Sequence, residues 1–430
     1  MCPVAYSGVR AAKNELAFPR LIPVRQNFDA ESIEDIEAHV GAQVDSFLAA
    51  TPLKKGAKAA LAVGSRGIAK LDEIVKALIE ALRRHEIEPF IVPAMGSHGG
   101  ATEKGQAKLL KEFGITETSM GVEIRSSMDV VTLGEAMPGL PVYFDRIACE
   151  CADFVVPVVR VKNHTTFRGD IESGLHKMLC VGLGNHKGAQ AMHQYGIEHF
   201  GEIIPKAGQY VLGKVSVPFG IAVVENAKEL PSVIEAVPGA RFASREPELL
   251  QISREMMARL CFDELDVLVV REMGKNISGV GMDPNITCRY QASHMPDGPL
   301  KIQRIVALSL TKETHGNALG IGCADICTRQ LVYDIDFETT CTNAITATRL
   351  DRVKIPMIAA TAKDAIAVAL KTCTGDKTLP PRLVVIKNTL EIEEIYVSEG
   401  LLSYVDKHPR LSVAGEAREM SFDDGGNLKL

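Results

Sequence analysis

The sequence predicts an α/β protein of two α/β domains with mainly parallel sheets and its active site in the cleft between them. Three observations point there. The chain has 430 residues, beyond the size at which a single hydrophobic core stops growing. Between residues 59 and 113, short apolar runs alternate with helical stripes. After residue 200 strand-like runs recur, separated in places by helical stretches, with little change of composition.

The first run, Ala59 to Val63, ends in Gly64-Ser65-Arg66-Gly67 and reads as a buried strand entering a turn. Leu71, Ile74, Val75, Leu78, Ile79 and Leu82 then fall on one face of a helix. Pro89 to Ala94 is the next strand and runs into Gly96-Ser97-His98-Gly99-Gly100, after which a helix spans Glu103 to Phe113. Strand, helix, strand, helix in this order means parallel strands joined by right-handed crossovers. Both Gly-rich loops then leave the carboxyl edge of one sheet, where open α/β sheets bind ligands. Phe154 to Val161 is a third apolar run, and Lys162-Asn163-His164 at its end reaches the same edge if it joins that sheet. Further strands are expected at Ile221–Val224, Leu265–Val270, Ile305–Ser309 and Arg382–Ile386, with helices at Glu246–Leu260 and Ala362–Thr372. A helix gives way to a fresh strand near residues 259–264, which divides the chain into domains 1–260 and 261–430. The carboxyl-terminal segment is read as able to cross back onto the first domain.

Composition narrows the function. Hydrophobic residues make up 46% and charged residues 24%, as in ordinary globular proteins. A formal net charge of −6 and only short basic clusters, such as Lys54-Lys55 and Arg83-Arg84, argue against nucleic acid as a partner. No signal peptide and no membrane-length apolar run is read, and ten scattered cysteines read as reduced thiols, so the expected compartment is the cytoplasm without membrane association.

Five of the eleven histidines (His164, His176, His186, His193 and His199) fall between residues 164 and 199, where even spacing would put about one. Imidazole is both the commonest protein metal ligand and the usual general base near neutral pH. Of the five, His176, His186 and His199 read as surface or helix-capping residues. Lys177 opens an apolar stretch in Ile171–Leu183 that reads as a buried helix. Desolvation there favours the neutral, nucleophilic amine, while a lysine at a helix start can instead snorkel to water.

Ser173-Gly174-Leu175-His176-Lys177, with His164 before it and His193 sixteen residues after the lysine, resembles the pattern of the nickel-pincer nucleotide-dependent lactate racemase family. In that family a histidine precedes Ser-Gly-Gly-Arg-Lys and another follows at the same distance. The resemblance implies that Lys177 tethers a nickel-pincer nucleotide, that His193 ligates nickel and that His164 is a catalytic acid/base. It further implies that His98 is the second catalytic histidine and that the loop Gly64, Ser65, Arg66 lies against the cofactor, with Arg66 also on a substrate carboxylate. On this reading residues 1–260 carry cofactor and catalysis, residues 261–430 close the substrate site, and cofactor-synthesis proteins are partners. A homo-oligomer stays open.

The chain departs from the family pattern in places. Val63 stands where an acidic residue precedes the arginine loop, Gly67 stands where prolines follow it, and the stretch from His164 to Lys177 is three residues longer. Asp283-Pro284-Asn285 keeps an acid and an amide of the substrate clamp but places proline between them, and Thr287 stands where a lysine is expected. Lys275, Asn276 and Arg289 are therefore the candidates for binding substrate from the second domain. The expected activity is racemisation or epimerisation of a 2-hydroxy acid larger than lactate, such as a sugar acid, by reversible hydride transfer.

Two other readings compete. A zinc hydrolase or lyase would use His186, His193 and His199, although gaps of six and five residues differ from the i, i+4 pair of a helical zinc site. Cys323 and Cys327, near His315, form a further candidate pair that reads more readily as buried packing beside Gly320 and Gly322. A non-catalytic protein of the same fold would hold a small anion in the Gly-rich loops.

Overall fold

A computed structural model describes residues 8–10, 17–28, 30–65, 67–292 and 294–430. The chain forms two compact units, Asp29–Met257 and Met1–Phe28 with Ala258–Leu430. Both are α/β.

In the unit Asp29–Met257 the central sheet has five strands, in the order Glu88–Pro93, Lys58–Val63, Phe154–Arg160, Phe219–Glu225, Pro231–Pro238. The first four are mutually parallel, and the last runs antiparallel to its neighbour. Successive side chains of a strand point to opposite faces, and the strand Lys58–Val63 sends its residues to two separate cores. Ala59, Leu61 and Val63 join the helices Ile36–Ala50 and Leu71–Arg84 on one face. Ala60 and Ala62 face the other layer, built from the hairpin Val130–Met137/Leu140–Asp145 and the helices between Leu175 and Met256. A strand covered on both faces reads as a continuous apolar run, as the sequence does here.

The second unit carries the larger sheet. Met357–Ala359, Ile326–Thr328, Lys301–Leu310, Glu264–Met273 and Leu383–Ile386 are parallel, and Glu394–Ser398, Arg20–Gln26 and Leu411–Val413 continue it antiparallel. The amino-terminal strand Arg20–Gln26 thus belongs with residues 258–430, whereas the sequence reading drew it with residues 1–260. Leu21, Ile22 and Val24 are buried in the second unit's cores. Gln26 ties the strand into that unit, donating to the Ile392 carbonyl and accepting from the Cys261 N–H. The described residues 17–28 therefore belong to the second unit, and the carboxyl-terminal segment stays in that unit.

Among the described residues no helix is long and apolar enough to cross a membrane. The nine described cysteines are free thiols.

Candidate active site

The strands Glu88–Pro93, Lys58–Val63 and Phe154–Arg160 are neighbours and parallel, so the segments that follow them emerge at one edge. His98 follows the first, Gly64 and Ser65 the second and His164 the third. The Ser65 hydroxyl is hydrogen-bonded to Nδ1 of His98, which joins the two Gly-rich loops directly. Gly96 needs its positive φ of 58°, and its N–H donates to the Gly182 carbonyl at 3.0 Å. Gln106, buried in the helix Glu103–Glu112, braces the same loop by donating to the Gly96 carbonyl. Arg66 lies outside the described residues.

Lys177 stands on a helical stretch whose start is fixed by Ser173 and Gly174. The Ser173 hydroxyl accepts from the Lys162 N–H and donates to the Lys162 carbonyl, tying this start to the end of the strand Phe154–Arg160. Gly174 has φ +128°, and a Cβ there would lie 2.3 Å from Oε1 of Glu246. Leu175–Lys177 is α-helical and Met178–Gly182 continues as a π-helical turn. The helix begins four residues later than the apolar pattern indicated, because residues 171–174 are the hinge that carries it.

Two aromatic rings gather the site. His164 packs on Phe167 with ring centres 4.4 Å apart, and the Lys177 amine lies 5.5 Å from the centre of the same ring. Phe167 meets Phe200 edge to face at 5.4 Å, and His193 packs on Phe200 at 5.1 Å. Lys177 is half-buried, between the two alternatives of a buried and a snorkelled amine. His193 keeps an exposed face, while desolvation on its packed side, helped by the Lys177 charge, holds its pKa below the ordinary imidazole value. Burial pushes the neighbouring Cys180 thiol up to about 12, which removes it as a nucleophile.

Glu172, invisible to motif reading, anchors the loop of His164. Its fully buried carboxylate accepts the His164 N–H at 2.6 Å, the Gly169 N–H at 3.2 Å and the Arg254 guanidinium at 2.7 Å, with Arg168 at 3.4 Å. Arg168 also donates to the His164 carbonyl. A carboxyl surrounded by donors eight residues from its histidine leaves no periodic mark in a sequence. The buried Asn163 Oδ1 meets no donor among the described residues.

Of the three histidines read as surface or helix-capping residues, His186 and His199 are at the surface, but His176 is not, because a buried carboxylate pairs with its ring. His176 is fully buried, its Nδ1 2.6 Å from Oε2 of Glu246, and its Nε2 faces Gln209. His186 and His199 are exposed. Among the described residues no three His, Cys, Asp or Glu side chains are grouped to hold a metal ion, so His186, His193 and His199 do not converge. Cys323 and Cys327 are buried in packing, with Cys323 taking a hydrogen bond from Arg352.

In the second unit, Lys275 Nζ donates to the Gly279 carbonyl and to Asn343, and Asn276 accepts from the Thr311 hydroxyl. Arg289 is bound to Asp325 at 2.6 Å and to the carbonyls of Cys323 and Ile302. Those bonds give Arg289 a stapling role. Asp283 and Asn285 sit on a short helix, where Asp283 caps the N–H of Asn285.

Residues 22–202 match the family model of the lactate racemase N-terminal domain. Among solved structures the chain is similar to the lactate racemase apoprotein from Thermoanaerobacterium thermosaccharolyticum, with a TM-score of 0.51 and 15% identity over 86% of this chain and 99% of that one. At that identity the likeness speaks for the fold. No curated protein matches the chain.

Proposed function

We propose that the chain, whose residues 22–202 match the lactate racemase N-terminal domain, is a nickel-dependent racemase or epimerase of a 2-hydroxy acid larger than lactate. The observation that carries the proposal is the convergence of His164, Lys177 and His193 on the joined rings of Phe167 and Phe200. Lys177 would hold the pincer nucleotide through its amine. His193, whose lowered pKa keeps it neutral at pH 7, would offer nickel a lone pair. A tethered group that brings its own donors needs one protein ligand, so the absence of a three-residue metal cluster among the described residues does not conflict with it. The Asn163 Oδ1 beside His164, which meets no donor among the described residues, also fits a site that receives a bound group.

When bound, that group supplies a reversible hydride acceptor for the α-hydrogen. The chain's own residues do the rest. His98 and His164 hold the substrate oxygen and attend to its proton, and the Phe167–Phe200 pair excludes water from one wall. We assign a carboxylate or phosphate contact to Arg66, with Gly64 and Ser65 lining that loop, and a further substrate contact to Lys275 and Asn276. The lysine-poor, proline-broken segment Asp283–Thr287 favours a substrate other than lactate, and a sugar acid is the class we propose.

Protein produced together with cofactor-synthesis proteins is expected to carry a mass adduct on Lys177 and bound nickel, both missing from Lys177→Ala. Active protein lacking that adduct refutes the assignment. A chiral-product screen of 2-hydroxy and sugar acids with the loaded protein identifies the substrate.

A further inference from the structure

We infer that the π-helical turn Met178–Gly182 is the positioning element of this site, locking the backbone that follows Lys177 to both Gly-rich loops. Gly96 and Gly182 are then positioning residues, through which one turn places both the Lys177 amine and the His98 ring. The inference rests on reading Lys177 and His98 as parts of one site and deepens that reading.

The turn is set by its own hydrogen bonds. The Met178 N–H donates to the Gly174 carbonyl at 2.9 Å, an ordinary α-helical step. The Leu183 N–H instead reaches back five residues to the Met178 carbonyl, at 2.8 Å. That longer step holds one residue more than an α-turn. At its end the Gly182 carbonyl accepts the Gly96 N–H at 3.0 Å. Gly96 is held on its other side as well, since Gln106 donates to its carbonyl at 3.1 Å and reaches the His98 carbonyl at 3.5 Å.

Three missing side chains allow this approach. A Cβ on Gly182 would lie 2.6 Å from the Met178 sulfur and 2.8 Å from the Ala94 carbonyl oxygen. One on Gly96, whose φ is +58°, would lie 3.2 Å from the Val181 carbonyl oxygen. One on Gly64 would lie 3.0 Å from the Met178 methyl carbon. Met178 is itself packed in the core, so it has little room to yield. The loop of Ser65 thus rests on the turn through Met178, and the loop of His98 rests on it through Gly182. Beyond the turn, the Ser65–His98 hydrogen bond joins the two loops to each other.

These contacts give the glycines a role other than cradling an anion. The Gly96 N–H already meets a carbonyl, so it is not a donor for phosphate or carboxylate. Lys177 immediately precedes the turn, and His98 lies two residues beyond Gly96. A shift of the turn therefore moves one group against the other. A misplacement of about 1 Å between reacting groups can lower a rate about 10²-fold.

The test combines hydrogen exchange over residues 94–98 with ¹⁵N NMR of the histidine rings, both on the full chain without cofactor. In the parent the Gly96 amide should exchange as slowly as the amides of the strand Glu88–Pro93. Gly182→Ala should speed that exchange about tenfold and shift the His98 ring signals. Met178→Leu, which keeps most of the core volume, should shift the same ring signals by less and stay folded. Val44→Ala, in the core on the other face of the sheet, should lower stability and leave the exchange and the His98 signals unchanged. In loaded protein Gly182→Ala should keep its adduct on Lys177 and lose about 10²-fold in kcat. A fast Gly96 amide in the parent, or His98 signals that stay put in Met178→Leu and Gly182→Ala, overturns the inference. Equal shifts in Val44→Ala also overturn it, since loss of stability alone would then move His98. A slow Gly96 amide and a responsive His98 in protein that takes no adduct on Lys177 overturns the reading of the reaction and leaves the turn's positioning role standing.

Discussion

The Phe167 ring meets the Phe200 ring edge to face at 5.4 Å, and this contact joins His164 and Lys177 on one side to His193 on the other. Both rings are buried in the same core. Phe167→Ala is expected to cost about 3–5 kcal/mol, by lost transfer energy plus a cavity. Phe167→Leu fills most of that volume and should cost less, yet remove the flat surface under His164. Urea midpoints give the stability difference, and a Phe167→Leu protein with unchanged turnover would show that the ring does not position the histidine.

The Glu172 carboxylate faces donors on both of its oxygens. Gly169 and Arg254 approach Oε1, and His164 and Arg168 approach Oε2. Glu172→Gln must turn an amide NH2 toward one of those pairs, so a loss of about 1–3 kcal/mol is expected although the shape is kept. Hydrogen exchange should quicken at the His164 and Gly169 amides first. Unchanged exchange there would refute the anchoring role.

Gly174 cannot be replaced locally. Its φ of +128° and the 2.3 Å approach of Oε1 of Glu246 to a built Cβ strain any side chain. Gly174→Ala is expected to lose about 1–3 kcal/mol from backbone strain, with displacement of Glu246 adding to that. The same change should disturb the His176–Glu246 bond, readable in the His176 ring signals. A protein as stable as the parent would contradict this geometry.

His193 gives a signed pH dependence. Its folded pKa lies below 6.5, chiefly through desolvation, so between the two values the unfolded chain binds more protons than the folded one. Stability from this group is therefore present above pH 6.5 and falls as pH drops through the folded value. Urea unfolding at stepped pH should show a shallower acid loss for His193→Gln than for the parent without cofactor. Identical slopes would place His193 in water.

Much of the fold was legible because apolar runs and helical stripes repeat at fixed periods. The helix expected at Ala362–Thr372 is observed at those limits, and the strands at 59–63, 89–94 and 154–161 differ from the observed ones by a residue or so at their ends. The strand Arg20–Gln26 was not legible as part of the second unit, since pairing with residues 394–398 leaves no local mark. The Ser173–Lys177 pattern showed in sequence because Ser173, Gly174 and Lys177 are neighbours along one hinge. Its supports, Glu172 with Arg254 and Glu246 with His176, join residues about seventy to eighty apart, and only folding brings them into reach.

Lys177 between His164 and His193, and Ser65 and His98 at one sheet edge, were determined by the sequence itself, through spacing and periodicity. What the tertiary structure alone decided is how those groups are held. Phe167 and Phe200 bring the ends of a thirty-residue segment onto one surface, and Glu172 fixes the Thr166 N–H against Nδ1 of His164. Hydrogen-bond direction, and with it the state of a histidine, depends on distances of a few tenths of an ångström that no residue pattern encodes.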